Sequence, residues 1–355
     1  MSPLECEFRA RGVALDEVGP AVHVPRAFTD PGEEHMAVRR AAGLFDFSFM
    51  GLYEFAGAGA LESLQRLQTR NLARLLPGQL RYTLLLREDG SVFNDATVWR
   101  LRDDRYWLFT GRRSDFGWLR ERSDAIDRSG EAAVLALQGP SSASILARLA
   151  GEPAVRVLGR FRFAEAGIAG LASLVGRLGY SGELGYELIV PAAAGAALWQ
   201  ALLEAARPGG GRECGFAAAD SLRIESGFVF FGREIAGSVD PFELGLARLL
   251  EFDAHEFVGA RPLSRRRLAE PARILCGMEI IARPAGALAR ADLPLAHVTS
   301  ERDSPIFGRR LALGFAQPCA ARPGTLVRLS DGRVARAARL PFYDPARRRP
   351  RATPL

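Results

Sequence analysis

The stretch over residues 79–111 constrains the fold of this chain more than any other part of the sequence. Apolar, β-branched and aromatic residues dominate three runs, at 82–86, 92–101 and 106–110, with acidic residues and glycine between them. Such runs are typical of β-strands, and Asp and Gly between them are typical of turns. The stretch therefore predicts a three-stranded meander.

Two short polar residues, Asn94 and Asp95, lie in the middle of the second predicted strand. Both residue types are depleted in strands, and a carboxylate inside a sheet costs free energy unless something uses it. Because strand side chains alternate, we expect the two to face opposite sides of the sheet. The spacing leaves two interpretations of Asp95 open: a structural residue that faces solvent or ends a bulge, or a functional carboxylate.

The rest of the chain predicts a mixed fold of more than one domain. A length of 355 residues favours two or three domains, because single cores stop growing near about 250–300 residues. Helix and strand patterns are mixed up to residue 262, and short β segments follow residue 272. Residues 1–30 are expected to be irregular, 168–177 to form one strand, and the basic, proline-containing stretch 262–271 to be a linker.

The basic residues exclude some chemistry. All of the 47 basic residues are arginine, so neither a Walker A lysine nor a pyridoxal Schiff base is available. The formal charge of +6 is spread along the chain, which favours an anionic small ligand or an acidic partner rather than nucleic acid. The one dense basic run, 347–351, is interpreted as a frayed end.

The cysteines and histidines predict neither a metal site nor a disulfide framework. The chain has four of each, they are far apart, and no CxxC pair occurs. Unpaired cysteines suit a reducing compartment. No apolar run reaches the roughly 18–20 residues that a spanning helix needs, and the first residues have no apolar signal segment. We therefore expect a cytoplasmic protein without a membrane partner.

Seven motifs occur in the order found in one enzyme family, and they span most of the chain. Together they resemble the folate-dependent aminomethyltransferases, which include the T-protein of the glycine cleavage system and related tetrahydrofolate-dependent demethylases. The motifs are GLFDFSFMG at 43–51, GSVFND at 90–95, LQGP at 137–140, GYSGELGYE at 179–187, DSLRIESG at 220–227, DPFELGL at 240–246 and PFYDP at 341–345.

The resemblance implies an α+β, three-domain cloverleaf with tetrahydrofolate in a central channel. Residues 1–52 and 133–262 would form a discontinuous α/β domain that binds folate. Residues 53–132 would form a ferredoxin-like α+β domain that carries Asp95. Residues 272–350 would form a small C-terminal β-barrel or jelly-roll-like domain.

The resemblance also implies the site residues. Asp95 is the expected catalytic carboxylate beside the reacting folate nitrogens, where it can orient a nitrogen and balance its charge. Tyr82, Asp95, Tyr180 and Glu187 are expected to bind the cofactor, tetrahydrofolate. A glutamate suits the pterin because its carboxylate can accept two N–H bonds from the amino-pyrimidine edge.

Each of these assignments has a purely structural alternative. Tyr82 can equally be a core or rim residue, and Tyr180 can pack on the neighbouring glycines of its loop. Glu187 can form an ion pair with Arg177 or Arg223. For Arg223 itself, and for Glu225, the sequence favours a structural ion pair that ties a helix to a strand.

Several positions depart from the family motifs, among them Phe49, which replaces a histidine, Asn94, which replaces an aspartate, and Ala219, which replaces an arginine. Three functions therefore stay open. The chain could transfer an aminomethyl group to tetrahydrofolate from a lipoyl carrier on an H-protein-like partner. It could demethylate a small N-, O- or S-methyl donor. It could also be a folate-binding accessory protein without turnover, although residues 177–183 lack the cysteine of such relatives.

Overall fold

A computed structural model of the chain describes residues 2–19, 22–150, 157–281 and 292–352. Within these ranges the α-helices are α1 Glu5–Ala10, α2 Pro31–Arg40, α3 Ala60–Leu67, α4 Phe116–Arg120, α5 Ser142–Ala150, α6 Gly195–Ala206, α7 Phe216–Glu225 and α8 Ala260–Arg266. The strands up to the middle of the chain are β1 Leu15–Gly19, β2 Val22–Pro25, β3 Gly43–Asp46, β4 Gly51–Ala56, β5 Gln79–Leu86, β6 Val92–Arg102, β7 Arg105–Thr110, β8 Ile126–Asp127 and β9 Ala132–Gln138. The remaining strands are β10 Phe163–Ile168, β11 Leu171–Gly176, β12 Gly185–Pro191, β13 Arg212–Glu213, β14 Ile274–Ile281, β15 Leu295–Ser304, β16 Arg309–Ala316, β17 Leu326–Leu329 and β18 Val334–Ala338.

The predicted meander is confirmed as the core of a five-stranded antiparallel sheet in the order β5-β6-β7-β4-β8. Successive side chains along each strand point to opposite faces of the sheet. Leu85 and Ala96 pack on one face with Leu64 of α3. Leu84 packs on the other face with residues from the 229–263 region. The sheet is therefore covered on both sides at its centre.

A six-stranded sheet in the order β10-β11-β12-β9-β3-β13 forms the second unit. Its pairs are antiparallel apart from β13 with β3. Leu135 and Leu188 face the helix α6 residue Trp199, whereas Val134 and Ile189 face a cluster that includes Trp99 of β6. The two sheets therefore share an apolar core, which fixes the cleft between them.

The C-terminal strands close a five-stranded barrel in the order β14-β16-β15-β17-β18. Helix α7 ties the barrel to the rest through buried polar contacts. Arg223 donates to Ser300 Oγ at 2.6 Å and pairs with Glu234 at 2.7 Å. Ser304 donates to Glu225 at 2.5 Å. These contacts confirm the structural role expected for Arg223 and Glu225.

The expected fold class, α+β with a C-terminal β-barrel, is confirmed, but four local predictions were wrong. Residues 1–30 contain α1, β1 and β2 rather than irregular chain. The strand expected at 168–177 begins later, as β11 at Leu171, because Ala169 and Gly170 take left-handed φ angles of 51° and 78° and form the turn that joins β10 to β11. The stretch 262–271 begins inside α8, and β15 was not predicted because its sequence is polar.

The predicted domain limits stay a prediction. The strands of the five-stranded sheet all come from residues 51–127, and those of the barrel from 274–338. The six-stranded sheet takes β3 from before the meander and its other strands from after it. In the described part of the chain, every helix is too short or too polar to cross a membrane.

Candidate active site

A cavity of about 970 Å³ lies where the two sheets, the 226–231 and 244–249 segments and the C-terminal tail meet. All four predicted site residues line it: Tyr82 and Asp95 from the five-stranded sheet, and Tyr180 and Glu187 from the six-stranded sheet and the loop before β12. The structure thus brings together residues that are up to 105 positions apart in the sequence.

Asp95 faces this cavity because of the strand register. It is paired with Leu84 across β5 and β6, and Tyr82 lies two residues from Leu84 on the same face. The Tyr82 hydroxyl donates a hydrogen bond of 3.0 Å to Asp95 Oδ2. Burial raises the pKa of Asp95 to about 6, and the charge of Asp115 adds to the rise, while the Tyr82 hydrogen bond and Arg112 oppose it.

Asn94 points to the opposite face, as its place in the strand predicts. Its side chain is fully buried and donates to Asp115 Oδ2 at 2.5 Å, while its Oδ1 accepts the Asp95 N–H at 2.9 Å. Asp115 also pairs with Arg112 at 3.0 Å. The register shift between Leu85 and Leu86 forms a bulge before Asn94. This network fixes the backbone from which the Asp95 side chain projects.

Glu187 is a buried carboxylate that has no partner among the described residues. It is 7% exposed, and within the described residues no hydrogen bond or ion pair reaches its side chain. Burial alone raises its pKa to about 7. The alternative ion pairs are absent: Arg177 donates to the carbonyls of Leu158 and Ala352. A buried acceptor that lines a cavity in this way fits a ligand with N–H donors.

Tyr180 is fixed by contacts other than the glycines beside it. Its hydroxyl donates to the Val229 carbonyl at 2.5 Å. Its ring stacks on Phe228, with centroids 5.7 Å apart and an angle of 19° between the planes. The ring therefore presents a rigid aromatic surface to the cavity.

An apolar wall covers another part of the cavity, and sequence reasoning missed it. The lining phenylalanines touch one another in two groups, Phe47 with Phe49 and Phe230 with its neighbours Phe216 and Phe231, at centroid distances of 4.2–5.9 Å. Phe49 is the residue that replaces the family histidine. Ala219, which replaces the family arginine, is buried in the same apolar cluster as Phe47. Both departures therefore make this region more apolar.

The C-terminal tail also lines the cavity, which contradicts its interpretation as a frayed end. Arg347, Pro350 and Arg351 contribute to the wall. Arg177 holds the tail through the Pro350 carbonyl, at 3.4 Å, and the Ala352 carbonyl. The arginine run was visible in the sequence, but nothing local showed where it packs. In the part of the chain that the structure describes, His, Cys, Asp and Glu form no group that could hold a metal ion.

The sequence profile of the GCVT N-terminal domain matches residues 8–254, more than half of the chain. The chain belongs to the GCVT family. Similar proteins of this family cover nearly its whole length. The aminomethyltransferase of Symbiobacterium thermophilum is 37% identical over 350 residues, which cover 92% of each chain. That of Halothermothrix orenii is 34% identical over 336 residues, covering 90% of this chain and 93% of the relative.

A solved GCVT-family structure has the same fold. The chain is similar to the glycine cleavage system aminomethyltransferase T from Bartonella henselae, with a TM-score of 0.82 and 27% identity. The match covers 96% of this chain and 97% of the other. The chain is thus a GCVT-family enzyme that transfers a one-carbon group, with tetrahydrofolate as the acceptor in this family.

Proposed function

We propose that this GCVT-family enzyme transfers an aminomethyl group from a lipoyl carrier, presented by an H-protein-like partner, to tetrahydrofolate bound in the cavity. One observation carries the proposal: Asp95 and Glu187, which has no partner in the described part of the chain, line the same cavity from two different sheets. The relatives named as aminomethyltransferases support the choice of the aminomethyl group.

Four residues would hold the folate. Glu187 supplies the acceptor for the N–H groups of the amino-pyrimidine edge, and its lack of a partner supports this role. Tyr180 offers an aromatic face for the pterin or the benzoyl ring. Tyr82 and Asp95 form the wall where the reaction would occur. Bound tetrahydrofolate supplies the nucleophilic nitrogen that accepts the one-carbon unit.

Asp95 would stabilise positive charge and position protons in this reaction. With a pKa of about 6 it is mainly ionised at pH 7–8, so it can orient a nitrogen and offset positive charge that develops on it. The Tyr82 hydrogen bond fixes one carboxylate oxygen and keeps the group in the ionised form. The phenylalanine wall excludes water from the donor, which protects a reactive one-carbon unit from hydrolysis.

Demethylation of a small N-, O- or S-methyl donor is the second candidate. The phenylalanine wall favours it, because aromatic faces suit an apolar methyl group or a methylated cation. The replacement of the family histidine by Phe49 and of the family arginine by Ala219 points the same way. A folate-binding accessory protein without turnover is a third candidate, and the ionisable Asp95 in the cavity argues against it.

A donor panel tests the proposal. The purified enzyme is incubated with tetrahydrofolate and either an aminomethylated lipoyl carrier or small N-, O- and S-methyl donors, and the loaded folate is measured by mass spectrometry. We expect turnover with the carrier alone. Turnover with a small donor alone would favour the demethylase, and folate binding without turnover of any donor would favour the accessory protein.

We also propose the domain limits 1–52 with 133–262, 53–132 and 272–350, which the origin of the strands in each sheet supports. A cytoplasmic location is supported by the four cysteines, all of which are free. The dispersed arginines support a protein that does not select nucleic acid.

A further inference from the structure

A buried pair of opposite charges lies behind the strand that carries Asp95. Asp115 is 1% exposed, and its Oδ1 lies 3.0 Å from Nε of Arg112. Neither residue lines the cavity. Burial of a charge costs free energy that a partner offsets only in part, so stability alone does not explain the pair. The position of these two charges points to a role in the site itself.

Asn94 joins the ion pair to Asp95. Its Nδ2 donates to Asp115 Oδ2 at 2.5 Å, and its Oδ1 accepts the Asp95 N–H at 2.9 Å. An amide can do both at once, whereas an ionised carboxylate at position 94 could only accept. Burial raises the pKa of Asp115, and the charge of Arg112 and the Asn94 hydrogen bond oppose that rise. The asparagine, which replaces a family aspartate, therefore favours an ionised Asp115.

Arg112 is held between the sheet and the cavity wall. Its guanidinium donates to the Phe93 carbonyl at 3.2 Å and lies 5.3 Å from the Phe93 ring and 5.5 Å from the Phe231 ring. Phe231 lines the cavity, and Gly111 allows it to approach, because a Cβ at position 111 would overlap the Phe231 ring. The positive charge is thus fixed behind the cavity wall.

Two tyrosines also interact with Asp95. Tyr82, on β5, donates to its Oδ2 at 3.0 Å, and Tyr180 approaches from the loop before β12. Burial raises the pKa of both tyrosines well above their usual range, although the positive charge of Arg248 opposes this at Tyr82. Both tyrosines are therefore neutral near pH 7 and present dipoles, rather than charges, to the carboxylate.

We propose that Asp115 and Arg112 are positioning residues: through Asn94 they fix the backbone of Asp95, and their opposite charges set how readily its carboxylate takes up a proton. A like charge nearby makes a carboxylate more basic, and an opposite charge makes it less basic. The inference rests on the proposed function, in which Asp95 acts on the reacting nitrogen. A carboxylate that titrates close to neutral pH is well suited to that task.

The carboxyl ¹³C resonance of Asp95 measures this effect directly in the ligand-free enzyme labelled at aspartate. Its loss in Asp95→Asn identifies the resonance. Asp115→Asn removes the negative charge but keeps an oxygen that can accept from Asn94. The pKa of Asp95 should then fall by about half to one pH unit, because a like charge in a medium of low dielectric constant is gone.

A second substitution tests the opposite charge. Arg112→Met added to Asp115→Asn should move the pKa of Asp95 part of the way back up, since the remaining positive charge is removed. Residues that only stabilise the fold would not shift this pKa in opposite directions. Arg112→Met alone should raise the pKa, and it serves as the test if Asp115→Asn does not fold. Urea unfolding of each variant shows that it is folded over the pH range used.

Asp124→Asn is the matched control. It makes the same substitution at an exposed aspartate between α4 and β8 that does not line the cavity, so the pKa of Asp95 should stay at the wild-type value. The acid limb of kcat should follow the resonance. At about pH 5.5, Asp115→Asn should keep about two- to threefold more of its plateau turnover than the wild type keeps.

An unchanged pKa of Asp95 in Asp115→Asn would overturn the inference. An equal shift in Asp124→Asn, or a fall in Arg112→Met, would also overturn it. The resonance needs no turnover, so the inference and the proposed function can fail separately. If Asp95→Asn loses turnover while Asp115→Asn leaves the pKa unchanged, only the inference fails. If Asp95→Asn keeps near-wild-type turnover, the proposed role of Asp95 and this positioning role are both overturned.

Discussion

The Tyr82 hydroxyl donates a hydrogen bond to Asp95 Oδ2 over 3.0 Å, between neighbouring antiparallel strands that both face the cavity. The bond stabilises the ionised carboxylate, and burial acts against it. These opposing effects leave Asp95 with a pKa of about 6, just below neutral pH. The protonation state of Asp95 therefore depends on a partner that can be removed.

Removal of that partner in Tyr82→Phe should raise the pKa of Asp95 further. The acid limb of the kcat profile should move to higher pH, because more of the carboxylate is protonated at any given pH. We expect turnover to fall about three- to tenfold at pH 6 and less at pH 8. A pH series of kcat for both enzymes checks this, and an unchanged acid limb would show that Asp95 does not control it.

Glu187 should make the ligand-free protein less stable as the pH rises. Its folded pKa of about 7 lies above the usual value of 4.5 for glutamate, so the folded state binds more protons than the unfolded state between these values. Its contribution to stability is thus present below pH 4.5 and lost as the pH rises through 7. Glu187→Gln should raise the free energy of unfolding by roughly 2–3 kcal/mol at pH 8 and by little at pH 4.5. Urea unfolding at both pH values measures the difference, and equal effects would contradict it.

Glu187 should stabilise bound tetrahydrofolate, although it destabilises the ligand-free protein at high pH. Glu187→Ala should weaken tetrahydrofolate binding by about 1.5–3 kcal/mol, the value of a charge-assisted hydrogen bond. Calorimetry measures the affinity. The variant Glu165→Ala changes an exposed glutamate on β10 of the same sheet, outside the cavity; it is the control and should bind as the wild type does.

The buried ion pairs of Arg39, which join α2 to α7 and to the loop before β12, should matter more for stability than for activity. Arg39 pairs with Glu183 at 3.1 Å and with Glu225 at 2.6 Å, and all three side chains are buried. Arg39→Met would leave two buried carboxylates without this partner, which should cost about 3–5 kcal/mol of unfolding free energy. Arg40→Met, at the adjacent exposed position, should cost little. Similar midpoints for the two variants in urea would refute the assignment.

The sequence predicted the parts of the site that depend on local pattern. The alternation of side chains along β6 predicted that Asn94 and Asp95 face opposite sides of the sheet. The family motifs identified Tyr180 and Glu187 as candidate site residues. The strand β15 was missed because most of its residues are polar. Some of these polar residues, such as Ser300, are buried in the folded protein, and the sequence pattern does not indicate this. The tail arginines were visible, but their packing depends on Arg177, 170 residues or more away in sequence.

The phenylalanine wall escaped prediction for a similar reason. Phe49 and Phe231 come from segments far apart, and each alone is typical of an ordinary core residue. Their joint presence on one cavity wall results from the packing of the two sheets. The periodicity of apolar residues in a sequence does not distinguish residues that line a ligand cavity from residues that pack in the core.

Asn94 offers the matched control for Asp95, since it is adjacent in sequence and faces away from the cavity. Asn94→Ala removes its bond to Asp115, so it should lower stability by about 1–3 kcal/mol. Turnover at a temperature where the variant is folded should fall far less than in the Asp95 variant.

The turnover of Asp95→Asn with the true donor tests the central claim most directly. The substitution keeps the shape and part of the hydrogen bonding but removes the charge. If Asp95 acts on the reacting nitrogen, kcat should fall roughly 10²–10⁴-fold, with a much smaller change in tetrahydrofolate affinity. Near-wild-type turnover in Asp95→Asn would contradict a catalytic role for this carboxylate.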